Sequence, residues 1–187
     1  MNQLVCALMI ALAVTVTFAP EISRAETQEA KPFPIDDIYL SLRDRALDAN
    51  ADELGLQPSR PDQPYGIIMD MGVGGAKATV VAFATGDASL YYSTGGGIIG
   101  AGQSSPAANA AAQRFVALAD SYIGHMKPAE GRPLPGDYQT IFYALTQAGL
   151  ITASADLSEL AMGEVSLSPL FHAGQEVLTH IRLTQEK

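Results

Sequence analysis

Apolar and polar positions alternate along the chain in two rhythms, one with helical spacing and one with strand spacing. Ile35, Ile38, Tyr39, Leu42, Ala46 and Ala49 recur three and four residues apart, the spacing of one helical face. They predict a helix over residues 35–54. Asp36 and Asp37 favour its start, where the dipole welcomes anions, and Gly55 closes it. Residues 57–64 contain three prolines and read as a loop. Residues 65–71, 79–85 and 89–94 are dense in apolar, β-branched and aromatic side chains and predict three strands, the first carrying one acid, Asp70. The short turn Thr85-Gly86-Asp87-Ala88 makes the second and third an antiparallel hairpin. Residues 72–77 are a glycine-rich turn without the Gly-Lys-Ser/Thr ending of a P-loop.

Ser105 and Pro106 then supply an N-cap and first-turn pair. Ala108, Ala111, Phe115, Leu118, Tyr122 and Met126 follow as a buried stripe, with Asn109, Gln113 and Asp120 toward water. Residues 127–136 hold three prolines and two glycines and read as a surface connection, with a lid as the alternative. Residues 137–146 and 150–155 predict two more strands joined by a turn. Residues 156–165 fit either an irregular edge or one helical turn. A last helix runs from Ser168-Pro169 to about residue 183 and buries Leu170, Gly174, Val177, Leu178 and Ile181, with Gly174 marking a close contact with the sheet. Helix, three strands, helix, two strands, helix implies an α+β domain over residues 35–187, with about five antiparallel strands and three main helices.

Residues 4–18 are an uncharged apolar run, broken at Pro20 and followed by Ser23-Arg24-Ala25. This is the pattern of a cleaved export signal over residues 1–25, and the run is shorter than the roughly 20 residues of a spanning helix. The expected destination is the periplasm or the exterior of a bacterial cell. An uncleaved anchor through residues 4–18 is the alternative, and the only membrane contact expected. Residues 26–34 are a polar tether. Cys6 is the sole cysteine, so residues 26–187 offer no disulfide, thiolate metal site or cysteine nucleophile. The net charge of −9 argues against binding to phosphate backbones, so no nucleic acid is expected. Asp44, Asp48 and Asp52 form an acidic row read as a solvated helix face.

Gly95-Gly96-Gly97-Ile98-Ile99-Gly100-Ala101-Gly102 is the most unusual local stretch. Gly95, Gly97 and Gly100 satisfy G-x-G-x-x-G, but the preceding strand closes a hairpin instead of opening a parallel βαβ unit, so no dinucleotide fold follows. Two readings remain. In the structural one, the glycines permit positive φ and let Ile98 and Ile99 bury. In the functional one, Gly95, Gly96, Gly97, Gly100 and Gly102 with Ser104 and Ser105 cradle an anion or small ligand. His172, Glu176 and His180 lie four residues apart on the last helix. Adjacent members of that row have the spacing to share a metal ion, and a polar face is the plainer reading. His125 closes the central helix as a favourable cation. Ser93, Ser104 or Ser105 with a histidine is the one hydrolase arrangement left open. No cofactor is implied.

The element order resembles the profilin-like and roadblock-like folds, which serve as binding platforms. The segments Tyr91-Tyr92-Ser93-Thr94-Gly95-Gly96-Gly97-Ile98-Ile99-Gly100 and Ser168-Pro169-Leu170-Phe171-His172-Ala173-Gly174-Gln175-Glu176 resemble those of an uncharacterised bacterial protein family. That resemblance implies no activity and carries no catalytic residue. The expectation is an exported, non-enzymatic module that binds a protein or small ligand, as a monomer or homo-oligomer.

Overall fold

The computed structural model describes residues 33–186. Residues 1–25, read as an export signal, and most of the tether lie outside the described residues. The elements in chain order are α1 (Asp37–Leu47), β1 (Gly66–Val73), β2 (Ala76–Phe83), β3 (Ala88–Tyr92), β4 (Gly97–Ile98), α2 (Ala101–Ser104), α3 (Pro106–Asp120), β5 (Lys127–Pro128), β6 (Gln139–Thr146), β7 (Gly149–Asp156), α4 (Leu157–Met162) and α5 (Ser168–Arg182). All pairings in the sheet are antiparallel, and its order is β4-β3-β2-β1-β6-β7-β5.

The α+β class holds, with seven strands and five α-helices where about five strands and three main helices were expected. The additions are short, and each has a local cause. Gly95 and Gly96 take φ of +95° and +83°, which reverses the chain and lays Gly97–Ile98 against Leu90 and Tyr91. Lys127 and Pro128 pair with Thr152 and Ile151 at the far edge. Residues 156–165 contain α4, whose N-cap Asp156 accepts from the N–H groups of Ser158 and Glu159. The central helix ends at Asp120, earlier than its apolar stripe suggested, and a 3₁₀ turn at Ile123–His125 carries the chain on to Met126.

Both faces of the sheet are covered. On one side Ile67, Met69, Val80, Leu90 and Phe142 pack against Phe115 of α3 and Leu170, Val177 and Ile181 of α5. Gly174 lets α5 lie on the sheet: a Cβ there would stand 2.7 Å from Met69 Sδ and 3.0 Å from Phe115 Cζ. On the other side Ile68, Val81, Tyr91, Ile141, Tyr143 and Leu145 meet Tyr39, Ala46 and Leu47 of α1. This second layer is only one helix wide, so α1 leaves the outer part of β6 and β7 to be covered by the chain between β5 and β6.

Of the expected face of α1, Tyr39 and Ala46 are buried and Leu42 and Ala49 pack beside them, but Ile35 and Ile38 do not. Ile35 and Ile38 are 40% and 65% exposed, and the buried stripe is Tyr39, Arg43, Ala46 and Leu47. The helix also stops at Leu47 instead of running to residue 54. Ile98 packs against the α3/α5 core, but Ile99 is 66% exposed, contrary to the expectation that both bury.

Candidate functional site

The centre of the α1-side layer is polar. Asp70 on β1 and Thr79 on β2 are neighbours in the ladder, and both are fully buried. Asp70 accepts from Thr79 Oγ1 at 2.6 Å through Oδ1 and from Arg43 Nε at 2.8 Å through Oδ2. Arg43 Nη2 lies 2.6 Å from the same Oδ2, so the guanidinium faces the carboxylate edge-on. Tyr39 OH lies 3.0 Å from Thr79 Oγ1. Thr79 has given its only proton to Asp70, so the tyrosine is the donor in that contact. Burial, with the nearby Asp70 carboxylate, pushes the Tyr39 phenol up to about 12. Burial also pushes the Asp70 carboxyl up, against the downward pull of Arg43 and Thr79. Burial works against the Arg43 charge, and Asp70 outweighs it, holding the guanidinium above its ordinary value.

Arg43 does more than neutralise Asp70. Its Nη1 and Nη2 donate to the carbonyl oxygens of Arg132 and Pro133 at 3.1 and 3.0 Å. Tyr143 OH donates to the same Pro133 oxygen at 2.9 Å, and the Arg43 guanidinium sits 5.5 Å from the Tyr143 ring centroid. The Arg132 side chain reaches back to Asp48, the C-cap of α1, at 2.6 Å. The connection between β5 and β6 is therefore fastened from beneath by a buried ion pair. Its exit is equally constrained. Gly136 N–H donates to Gln139 Oε1, and a Cβ on Gly72 would overlap the Gly136 oxygen. Tyr138 takes φ of +58°, a strained value for a bulky residue, with its N–H on Gly72 O and its carbonyl on Leu157 N–H.

Between this fastened connection and the sheet lies a cavity of about 270 Å³. Its floor is Ile141 and Tyr143 of β6 with Thr152 and Ser154 of β7, residues that alternate onto the α1 side. Pro133 and Leu134 form the wall. Lys127, Glu130 and Gln139 stand at the rim. A wider depression of about 420 Å³ lies near Asn50, Asp52, Thr146 and Gln147, at the other end of β6. Its lining is predominantly polar, with Ala51 and Tyr65 as its apolar members.

The glycine stretch lies at the opposite edge of the sheet from this cavity. Gly95 N–H donates to Tyr92 O at 3.0 Å, and Gly100 N–H to Ser89 Oγ at 3.1 Å. A Cβ on Gly97 would overlap Leu90 O, and one on Gly102 would overlap Gly86 O. Ser104 Oγ donates to Ala101 O, and Ser105 Oγ accepts from Ala108 N–H. Ser93 is buried and accepts from Lys77 N–H at 2.7 Å. None of these serine contacts involves a histidine. On α5, Glu176 pairs with Arg114 of α3 at 2.5 Å and lies 3.7 Å from His180 Nε2, while the His172 ring stands edge-on to Phe171. Among the described residues no three histidine, cysteine or acidic side chains converge as metal ligands, and no helix is long and apolar enough to cross a membrane.

Sequence reasoning passed over Arg43 and the outward half of β7, and read residues 127–136 as a surface connection or a lid without assigning them a ligand. One signal pointed to the first of these. A lone acid inside the strand Gly66–Val73 requires a buried cation, and Arg43 lies four residues after Tyr39 on the helix that must cover it. Comparison of the chain with protein-family models, curated proteins and solved structures finds no match.

Proposed function

We propose that this chain is a non-enzymatic binding domain that holds a small ligand in the cavity over β6 and β7. The observation that carries this reading is the way the cavity wall is held. A buried ion pair is an expensive way to stabilise a fold, because both charges lose their water. Here the outer donors of that pair fix the carbonyl groups of Arg132 and Pro133, and Pro133 borders the cavity. A floor that joins Ile141 and Tyr143 to the hydroxyls of Thr152 and Ser154, a polar rim and a wall preset by buried hydrogen bonds are what a small-ligand site requires. The profilin-like or roadblock-like layout expected from element order is consistent with such a platform. The glycine stretch supports ligand binding less well, since Gly95 and Gly100 already use their N–H groups within the fold. We extend the proposal to location: residues 1–25 direct export, and the protein meets its ligand outside the cytoplasm.

The test is a fragment screen of the full chain by thermal shift, repeated on Ser154→Trp, which places an indole on the cavity floor. A ligand at about 100 times its dissociation constant adds about 2.7 kcal/mol. Hits that vanish in the variant, while its own unfolding temperature stays near the parent's, are the expected result. Hits that persist unchanged in the variant would move the site elsewhere.

A further inference from the structure

The charges at the cavity mouth narrow the chemistry of what enters it. We infer that the ligand is a small zwitterion with an apolar body, of the α-amino acid class. This inference rests on the cavity being the binding site. Of the described lysines and arginines, Arg43, Arg60, Lys77, Arg114 and Arg132 are in ion pairs, while Arg45, Lys127 and Arg182 are not, and of these three only Lys127 borders the cavity. Lys127 and Glu130 both border the cavity, both are exposed, and among the described residues neither pairs with the other or with anything else. One unpaired cation and one unpaired anion thus stand at the same mouth.

Each simpler ligand meets an objection there. A plain carboxylate gains Lys127 but faces Glu130 and the field of a chain whose net charge is −9. A plain amine gains Glu130 but faces Lys127. A neutral apolar molecule strips water from both rim charges and returns nothing to either. A zwitterion answers both, and being neutral overall it feels little of the chain's net field. Its apolar side chain then lies on Ile141, Tyr143 and Leu134. The volume agrees: about 270 Å³ is at or below the low end of pockets for drug-sized ligands, roughly 300–1,000 Å³, and suits one small molecule.

Titration calorimetry of the full chain with L-leucine, 4-methylpentanoate and 3-methylbutylamine separates these cases, since the last two are leucine without its amine and without its carboxylate. Leucine is expected to bind at least about tenfold tighter than either half-molecule, the worth of one charge-assisted contact. Lys127→Glu should shift preference to the amine, and Glu130→Lys to the carboxylate. Both sites are exposed, so the variants fold. Equal binding of all three probes, or an order unmoved by the charge reversals, overturns the inference. If that binding is still abolished by Ser154→Trp, the cavity remains the binding site. If no probe binds, the inference also falls. Fragment hits lost in Ser154→Trp would then keep the cavity as the site, and their absence would remove it.

Discussion

Arg43 is 2% exposed and its carboxylate partner 0%, so neither can recover water if the other is removed. Arg43→Met leaves Asp70 buried without a counter-charge and frees the carbonyl groups of Arg132 and Pro133. A loss of about 3–5 kcal/mol in urea unfolding is expected, and Asp70→Asn should lose a similar amount from the other side. A double variant, Arg43→Met with Asp70→Leu, removes both charges and should regain much of that loss. It should still loosen residues 132–134, which amide exchange would detect as faster opening there. Single variants within about 1 kcal/mol of the parent would mean that the pair is incidental to the fold. Half of this arrangement was legible in the chain. Asp70 stands out as an acid among Ile67, Ile68, Met69 and Met71, but Arg43 is flanked by Leu42, Asp44 and Arg45 and reads as one more surface charge. The apolar period of α1 found Tyr39 and Ala46 but added Ile35 and Ile38, which are exposed. Periodicity counts only apolar side chains, so an arginine buried on the same face is left out of it.

At the scale of elements, the existence of the long strands and helices followed from their patterns, although α1 and α3 end earlier than expected, and the two-residue strands did not. A two-residue strand has no period, and β4 and β5 exist because tertiary neighbours accept them. The glycine stretch illustrates this. Its composition suggested either a cradle or a set of turns, and Gly97 and Gly102 each approach another stretch of backbone closely. Gly102 sits where α2 meets the β2–β3 turn, so Gly102→Ala drives a methyl group into Gly86 O. Backbone cannot yield as a side chain does, and a loss of about 1–3 kcal/mol is expected. Gly96→Ala is the control. Nothing lies within 4 Å of a Cβ there, so only the positive φ of +83° is penalised, by about 1–2 kcal/mol. The two should therefore differ in kind: Gly102→Ala should also speed amide exchange in α2 and at residues 86–88, and Gly96→Ala should not. Gly174→Ala provides a contrast on α5. There the crowded atoms belong to Met69 and Phe115 side chains, and alanine is the better helix former by about 1 kcal/mol. Its measured effect should be smaller than that of Gly102→Ala.

At the scale of the whole molecule, the chain is acidic, with net charge −9 and an isoelectric point near 4.6. Charge of one sign opposes compaction, and the opposition fades as carboxylates protonate. Two acids pull the other way. Asp137 is held below the usual carboxylate range by Lys77 Nζ and by Gly75 N–H. Asp156 is held down by the Ser158 hydroxyl and by the N–H groups it caps on α4. A carboxyl with a depressed folded pKa binds its proton less readily in the native state. The stability it contributes is therefore present above the unfolded value, about 3.9, and disappears as pH falls through the folded one. The two trends meet. From pH 7 toward about 5, unfolding temperature should hold steady or rise as self-repulsion weakens, and added salt at pH 7 should raise it through screening. Below about pH 4 it should fall as Asp137 and Asp156 take up protons. Asp156→Asn keeps a capping oxygen without the titration, and Asp137→Asn removes the pairing with Lys77. The variant carrying both should lie below the parent at pH 7, and the gap should narrow as pH falls below the unfolded value of about 3.9. Thermal melts at three pH values measure this directly, and a gap unchanged at pH 3 would exclude these two carboxylates as the source of acid sensitivity.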